Sequence, residues 1–276
     1  MSSQRTHYVT TTDGVTIGGT VHGKGPDLVF LQGIIGDADL DWGATVGHLT
    51  DQFTCHLPSM RGRGLSGDHF DLGMDRLVAD FVAYVDSIGK PTGLVGWSGG
   101  GAWALYVAAQ SDAVYAVAPF EPGMLYLLDE PEQAALGGAL ARTGELAADG
   151  KLPVAARAFA GWPFNEEEVN AAEAADYFAA AGRYVPNMLN AIQQAIQSPP
   201  PGDPTAPLGA ISAPVMVLLG SESKPFFPIS AKHVVDHVPN AWIQEIPGAG
   251  HAAPLTHPEA LAEALFGFFS ETRQDA

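Results

Sequence analysis

The fold is decided by the stretch TGLVGWSGGGAWALYVAAQ, residues 92–110. It begins as a short apolar run, ends as a run of small and apolar residues, and holds Ser98 between glycines in the middle. This is the G-x-S-x-G pattern of a sharp strand-to-helix turn that lifts a serine hydroxyl into the open. Gly96 and Gly100 suit that turn, because side chains at those positions would collide with neighbouring backbone. The pattern predicts that Ser98 is a nucleophile at the start of a helix, where free N–H groups and the helix dipole favour negative charge.

Outward from this stretch, apolar runs alternate with helix-like patterns over most of the chain. The predicted strands comprise two within 7–22 around the turn Asp13-Gly14, followed by 27–33, 53–60, 92–98, 113–121, 213–220 and 241–248. The predicted helices span 74–89, 100–110, 229–238 and 258–270. Alternation of this kind predicts an α/β fold, with a mostly parallel sheet covered by helices on both faces.

Residues 122–209 interrupt this alternation. The segment is rich in alanine, glutamate and glutamine, contains no good strand pattern, and ends in the proline-rich sequence SPPPGDPTAPLG. A proline-rich stretch of this kind is typical of a return linker. We therefore predict one core domain made of 1–121 and 210–276, with 122–209 as a helical cap insert over the carboxyl edge of the sheet.

A serine nucleophile needs a neighbouring base, and the chain contains nine histidines. His251 is the candidate, because it lies in a loop between the last strand and the last helix and follows Ser98 in chain order. His233 and His237 lie four residues apart, as some zinc ligands do. However, H-V-V-D-H lacks the glutamate of the zinc motif, and no third ligand is evident. We expect these two to be surface histidines, and we expect no metal.

Four motifs together resemble the α/β-hydrolase fold family over nearly the whole chain. They are LQG at 31–33, PSMRGRGLSG at 58–67, GWSGGG at 96–101 and PGAGH at 247–251. The resemblance implies an α/β-hydrolase fold, Ser98 as nucleophile, His251 as base, and no metal or organic cofactor. It also implies an oxyanion hole made by the backbone N–H groups of Gly99 and Ile34, with Gly33 letting that loop bend towards the serine.

Three positions depart from the family's common pattern. Gln32 stands where the family commonly has a histidine before the glycine, and Ser59 stands where it commonly has an aspartate. Ser223 occupies the usual position of the acid that supports the histidine. The third departure matters most, because a hydroxyl cannot stabilise an imidazolium as a carboxylate does.

Two glutamates are alternatives for that acid. Glu121 ends the strand after the nucleophile helix, where some branches of the family place their acid, and Glu222 precedes the usual position by one residue. Lactonases that cleave zearalenone are similar in using a glutamate after that strand. Because catalytic groups gather at the carboxyl ends of strands, we favour Glu121. We predict a hydrogen bond of about 2.6–3.2 Å between its carboxylate and Nδ1 of His251.

Apolar residues of the predicted cap, together with Trp97, are candidates for the wall of a substrate pocket. The predicted substrate-binding residues are Trp97, Leu125, Leu128, Trp162, Pro163 and Phe164, among the cap neighbours Met124, Tyr126, Leu127 and Phe159. The same residues suit the cap's own core equally well. A pocket made of them would accept an apolar, fairly bulky small molecule.

These observations predict a serine hydrolase that cleaves a carboxylic ester or lactone bond in an apolar small-molecule substrate. Two alternatives stay open. One is a C–C bond hydrolase or cofactor-free oxygenase on the same scaffold. The other is a hydrolase-fold receptor or binding module with slow or no turnover.

Composition disfavours several other classes of function. The formal net charge is −18 and the pI is about 4.6, so nucleic acid and anionic membrane surfaces are not expected as partners. The single cysteine, Cys55, excludes a disulfide within the chain. Neither an apolar leader nor an apolar run long enough to span a membrane is evident, so we expect a cytoplasmic protein. The sequence leaves a homodimer open.

Two further motifs carry no function in this interpretation. GRGLSG at 62–67 has the glycine spacing of a dinucleotide loop, but no long helix opens directly after it. Asp37, Asp39 and Asp41 resemble a calcium loop, but the glycine and the distal glutamate of that motif do not follow at the required spacing. We expect a solvated acidic loop that caps the next helix.

Overall fold

Eight strands form one sheet in the computed structural model, which describes residues 5–197 and 202–272. The strands are β1 (Arg5–Thr10), β2 (Thr16–Gly23), β3 (Asp27–Leu31), β4 (Thr54–Pro58), β5 (Thr92–Trp97), β6 (Val114–Phe120), β7 (Val215–Gly220) and β8 (Ala241–Ile246). Their order across the sheet is β1-β2-β4-β3-β5-β6-β7-β8. The two pairings of β2, with β1 and β4, are antiparallel, and the remaining pairings are parallel. The predicted α/β-hydrolase fold with a mostly parallel sheet is confirmed.

The register of the central strands brings several carboxyl ends to one edge of the sheet. Leu31 lies opposite Gly96, and Phe120 lies opposite both Trp97 and Leu218. The loops that follow β3, β5, β6 and β7 therefore leave the sheet side by side. These loops carry candidate residues, as does the loop after β8, whose Ile246 lies opposite Gly220 at the end of β7. Ligands in open parallel sheets bind at such an edge.

Helices cover the sheet and fill the segment between β6 and β7. They are α1 (Ala38–Gly47), α2 (Met74–Ile88), α3 (Gly99–Ala108), α4 (Glu130–Ala148), α5 (Leu152–Ala160), α6 (Glu166–Ala174), α7 (Tyr177–Ala181), α8 (Val185–Gln197), α9 (Phe226–His237), α10 (Ala253–Thr256) and α11 (Pro258–Thr272). Gly89 ends α2 in the left-handed region at φ 70°, as its position after the apolar pattern predicted. Helix α9 begins three residues earlier than predicted, and α1 and α10 were not predicted.

The core lies between the sheet and its flanking helices. The residues of β3, β4, β5 and β7 are buried throughout, and β3 and β7 accordingly read as nearly continuous apolar runs rather than alternating ones. By contrast, β8 lies at the edge of the sheet and exposes most of its residues. No helix in the described residues is long and apolar enough to cross a membrane.

The described parts of the predicted cap, 122–197 and 202–209, contain helices and no strand. Part of the proline-rich linker, 198–201, lies outside the described residues. Side chains from this helical segment reach the loops at the carboxyl edge, as the hydrogen bond that Asn187 accepts from Arg63, in the loop after β4, illustrates. Its separation from the core as a cap with bounds 122–209 stays a prediction.

Candidate active site

Ser98 occupies a strained turn between β5 and α3. Its backbone lies at φ 56° and ψ −116°, a region that non-glycine residues seldom adopt. A Cβ atom on Gly96 would lie 2.2 Å from the Gly100 carbonyl oxygen, and one on Gly100 would lie 2.3 Å from that of Gln32. Both positions therefore require glycine, because a side chain would collide with backbone atoms, as the elbow pattern predicts.

His251 lies in the loop between β8 and α10 and is buried. Its ring stacks on Phe227, with 3.8 Å between the ring centroids, and its carbonyl oxygen accepts a hydrogen bond of 2.8 Å from the Trp97 indole. Its side chain hydrogen-bonds to Glu121 and, among the described residues, not to Ser98. Catalytic hydrogen bonds are often long or poorly aligned without bound substrate, and Ser98 and His251 line the same cavity.

Glu121 follows directly after β6 and is fully buried, with its backbone at φ 45°. Its Oε2 atom lies 2.6 Å from Nδ1 of His251, so the hydrogen bond predicted from the sequence is present. Its Oε1 atom accepts hydrogen bonds from the Gly220 N–H, at 2.8 Å, and from the Ser223 hydroxyl. The serine at the usual acid position therefore holds the glutamate. The alternative, Glu222, is exposed.

The three residues predicted for the oxyanion hole lie next to the serine, but their roles differ. A Cβ atom on Gly99 would lie 3.9 Å from the Ile34 Cβ, so these two positions face each other across the turn. The N–H of Gly33 donates to Asp41 Oδ2 at 2.8 Å. This donor is therefore already used, which is compatible with the bending role predicted for Gly33, and the N–H groups of Ile34 and Gly99 stay the predicted oxyanion donors.

Gln32, which replaces the family's common histidine, has both ends of its side chain engaged within the protein. Its Nε2 donates to the Gly36 carbonyl at 2.8 Å, and its Oε1 accepts from the Met60 N–H at 2.9 Å. It thereby joins the loop after β3 to the loop after β4. We infer that this residue shapes the loop rather than contacting a ligand.

A narrow cavity lies above Ser98. It is lined by Gly33, Ile34, Ile35, Trp97, Ser98, Phe159, Trp162, Pro163, Phe164, Tyr177 and His251. Four of the six predicted pocket residues are among them. Leu125 and Leu128 are not, which corrects the prediction: they belong to the turn that leads into α4, where Leu128 is buried against other apolar side chains.

The expectation of a solvated acidic loop is corrected by the structure. Asp37 does cap α1 by accepting from the Leu40 N–H at 2.9 Å, but Asp37 and Asp41 are both buried. Asp41 Oδ1 accepts a hydrogen bond of 2.8 Å from the Tyr177 hydroxyl, and burial raises the pKa of Asp41 to about 7. Asp41 and Trp42 both lie on the buried face of α1, but the acidic stretch around Asp41 gave no sequence signal of this burial.

Glu168 is a second carboxylate near His251 that sequence reasoning missed. It lies on α6 and accepts hydrogen bonds from the Ala252 N–H, at 2.6 Å, and from the Asn165 N–H, at 3.0 Å. Burial raises the pKa of its carboxyl group. Glu168 therefore connects the helical segment to the loop that carries the histidine.

Metal ligands are not clustered in the part of the chain that the structure describes, where no three histidine, cysteine or carboxylate residues converge. His233 hydrogen-bonds to the Tyr126 hydroxyl at 3.0 Å, and its ring centroid lies 4.2 Å from that of His237. The pair lies on the surface-facing side of α9, as the sequence predicted.

Comparison with known proteins agrees with this architecture. The model of the alpha/beta hydrolase family matches residues 21–264, which is most of the chain. The chain therefore belongs to the alpha/beta hydrolase family. Family membership supports a hydrolase activity.

Three similar proteins illustrate the range of the family. Polyketide synthase ThaQ of Burkholderia thailandensis is 27% identical over 92% of this chain, which corresponds to 12% of that protein. N-formylmaleamate deformylase of Pseudomonas putida is 34% identical over 40% of this chain and 39% of its own length. A thermophilic esterase structure from Thermogutta terrifontis covers 97% of this chain and 99% of its own, with 21% identity and a TM-score of 0.78. The matches to the two enzymes compared by sequence thus span well under half of their lengths.

Proposed function

We propose that this protein is a serine hydrolase that cleaves a carboxylic ester or lactone through Ser98, His251 and Glu121. One observation carries the proposal. A fully buried glutamate pairs with Nδ1 of a histidine at 2.6 Å, and that histidine shares a cavity with a strained, partly exposed serine. Nucleophile, base and orienting acid are the three groups that acyl transfer by serine needs.

In the first half of the proposed reaction, the Ser98 hydroxyl attacks the acyl carbon. His251 takes the hydroxyl proton at Nε2, and the Glu121 carboxylate stabilises the imidazolium that forms. The negative charge on the tetrahedral oxygen is stabilised by the backbone N–H groups of Gly99 and Ile34, with the helix α3 dipole behind it. His251 then donates its proton to the leaving alkoxide, which leaves an acyl-enzyme.

In the second half, a water molecule attacks the acyl-enzyme. His251 accepts the water proton and returns it to Ser98 as the acid product leaves. These steps require no metal or organic cofactor. Glu121 stays a carboxylate that accepts the hydrogen bond from His251 throughout, while its second oxygen accepts from the Gly220 N–H and the Ser223 hydroxyl.

The cavity supports an apolar substrate. Its wall is largely aromatic, with Trp97 and Phe164 stacked at 6.0 Å between ring centroids and inclined by 13°. Lys224 donates to the carbonyl oxygens of Gly161 and Trp162, both at 2.7 Å, and so ties the turn that carries Trp162 to the loop after β7. We propose that the helical segment acts as a cap that supplies this wall.

A second candidate reaction is cleavage of a small acyl group from nitrogen. It is favoured by the small size of the cavity and by the likeness to a deformylase over part of the chain. The same three residues would perform it, with an amine as leaving group. The likeness to lactonases that cleave zearalenone stays a prediction from the position of Glu121.

The test combines covalent labelling with a substrate panel. We expect a fluorophosphonate probe to label the wild-type protein at Ser98, located by peptide mass spectrometry, and not to label Ser98→Ala. A panel of aryl esters, lactones and N-formyl or N-acetyl amides, followed by product analysis, then ranks the two candidate bonds. Absence of labelling on folded wild-type protein, together with no turnover across the panel, would overturn the proposal in favour of a binding module.

A further inference from the structure

The loop after β3, residues 32–36, is held by two buried charged side chains that the proposed reaction does not use. We refer to these five residues as the oxyanion loop. Asp41, in α1, lies on one side of it, and Arg63, in the loop after β4, lies on the other. Both side chains are almost fully buried. Burying two charges is costly unless specific hydrogen bonds compensate, so their contacts with this loop need an explanation.

Asp41 contacts the oxyanion loop through its carboxylate. Oδ2 accepts the Gly33 N–H at 2.8 Å. A Cβ atom on Gly36 would lie 2.0 Å from Oδ1, so the loop bends closely around the carboxylate. The Gly33 N–H points into the protein as a result, and the next peptide unit of the loop carries the N–H of Ile34, a residue that lines the cavity.

Arg63 fixes the opposite side of the same loop. Its Nη1 donates to the carbonyl oxygens of Ile34, at 2.8 Å, and Gly36, at 2.6 Å. Its Nε donates to the side chain of Asn187 in the helical segment at 2.8 Å. The carbonyl of Ile34 is thus held on one side and the N–H of Gly33 on the other, which leaves the intervening backbone little freedom to turn.

Tyr177 connects this arrangement to α7. Its hydroxyl donates to Asp41 Oδ1 at 2.8 Å, and its ring lines the cavity. One oxygen of Asp41 therefore faces the helical segment, while the other faces the oxyanion loop. Through these two oxygens, Asp41 links α7 to the oxyanion loop.

We propose that Asp41 is a positioning residue for the oxyanion hole, held by Tyr177 so that the Ile34 N–H stays directed at the reacting oxygen. The inference rests on the proposed function, because it assigns a role within that same reaction. The inference goes beyond the proposed function by adding two side chains, Asp41 and Tyr177, that do not touch the reacting atoms. It also makes the helical segment part of the catalytic geometry.

The ionisation state of Asp41 gives this proposal a distinctive signature. The charged or titratable groups that face it are Asp37 beside it on α1, Arg63 from the loop after β4, and Tyr177 from α7. As a carboxylate it accepts from both Gly33 and Tyr177, whereas protonation turns one oxygen into a donor and removes one of these bonds. Burial raises its pKa to about 7, so the carboxylate form is lost as the pH falls through neutrality.

The experiment compares Asp41→Asn and Tyr177→Phe with the matched control Tyr184→Phe. Tyr184 also donates its hydroxyl from the helical segment to a core aspartate, Asp37, but Asp37 makes no side-chain hydrogen bond to the oxyanion loop among the described residues. At pH 8.5 we expect Asp41→Asn to lower kcat about 10- to 100-fold, less than full loss of an oxyanion donor. We expect Tyr177→Phe to lower kcat several-fold and Tyr184→Phe to leave it within about two-fold.

The pH dependence separates positioning from a merely structural role. The ratio of wild-type to Asp41→Asn kcat should shrink as the pH is lowered from 8.5 to 5.5, because the wild-type carboxyl is then protonated too. Circular dichroism and thermal unfolding confirm that each variant is folded. If Asp41→Asn does not fold, the comparison of kcat between Tyr177→Phe and its control Tyr184→Phe tests the proposal.

The failures of the two proposals are distinguishable. If wild-type Ser98 takes no fluorophosphonate label and no substrate is turned over, the proposed function fails. If the wild type is labelled and active, but Asp41→Asn shows a pH-independent ratio or Tyr177→Phe matches Tyr184→Phe, the positioning role of Asp41 is overturned and the hydrolase assignment stands.

Discussion

Two buried histidine–carboxylate pairs lie towards opposite ends of the sheet, and they differ in what surrounds the second ring nitrogen. In one, Glu121 follows the carboxyl end of β6 and lies 2.6 Å from His251, which shares a cavity with Ser98. In the other, Asp27 begins β3 and lies 2.9 Å from Nε2 of His56. The His56 ring packs edge-on against Tyr84, and its Nδ1 has no hydrogen-bond partner among the described residues.

The difference teaches that the pair alone does not define a catalytic site. Both histidines are buried beside a carboxylate, and a search for such pairs would return both. Only His251 shares a cavity with a nucleophile, and only its carboxylate lies at the sheet edge where the active-site loops meet. We therefore propose a catalytic role for the Glu121 pair and a structural role for the Asp27 pair, and the two proposals predict opposite consequences of mutation.

The largest expected effect is on turnover in Ser98→Ala. Removal of the attacking oxygen should lower kcat by about 10⁶-fold, as loss of a serine nucleophile does elsewhere, while the fold is kept. The measurement is kcat for the best substrate of the panel, with circular dichroism as the control for folding. Retention of a substantial fraction of wild-type turnover would show that the Ser98 cavity is not distinguished from the Asp27 region by a serine nucleophile.

The Asp27 pair should respond in stability rather than in activity. Asp27→Ala leaves the buried His56 ring without its hydrogen bond, which should lower the free energy of unfolding by about 1–3 kcal/mol. Urea unfolding measures this, and kcat should stay within about two-fold of the wild type. A large loss of kcat in folded Asp27→Ala would break the comparison.

Lowering the pH should lower the free energy of unfolding through the same region. Burial lowers the pKa of His56 and of His7 beside it, so the unfolded chain binds more protons than the native protein once the pH falls below the ordinary histidine value of about 6.5. The contribution of these neutral histidines to the free energy of unfolding is fully present above that pH. It declines as the pH falls, by at most about 1.4 kcal/mol per pH unit for one histidine. Urea unfolding at pH 8 and pH 5.5 should show a smaller decline for His56→Gln than for the wild type; an equal decline would contradict this.

The smallest expected effect concerns Ser223. Its hydroxyl donates to Glu121, but the Gly220 N–H donates to the same oxygen, so Ser223→Ala should lower kcat only about 3- to 10-fold. Ser221→Ala is a matched control two residues away, since the Ser221 hydroxyl accepts from Gly248 and does not touch Glu121. Equal kcat in the two variants would show that Ser223 does not position the glutamate.

Much of this molecule could be predicted from local patterns. The strands, the elbow at Ser98 and the contact of Glu121 with His251 follow from periodicity, from glycines that backbone contacts require, and from the topology of a parallel sheet. The helix bounds were less accurate, because α9 begins at Phe226, ahead of its periodic part. The predicted lining of the cavity was partly wrong, because apolar cap residues such as Leu128 suit a pocket and a core equally well.

The polar contacts around the oxyanion loop could not be predicted. Asp41 and Tyr177 lie 136 residues apart in the chain, and no local pattern links them. Asp41 also stands in an acidic stretch that, by itself, indicates a solvated loop. Its burial depends on how α7 packs over α1, which is a property of tertiary structure rather than of any one segment.

The most direct test of the central claim makes the same chemical change in both pairs. Glu121→Gln and Asp27→Asn each replace a buried carboxylate beside a histidine with its amide, and Glu222→Gln is the control for the exposed neighbour. We predict that Glu121→Gln lowers kcat by about 10⁴-fold, because an amide cannot stabilise the imidazolium and favours the wrong tautomer. Asp27→Asn and Glu222→Gln should stay within about two-fold of the wild type. Near-normal kcat in folded Glu121→Gln, or a crippled Glu222→Gln, would contradict the assignment of Glu121 as the acid.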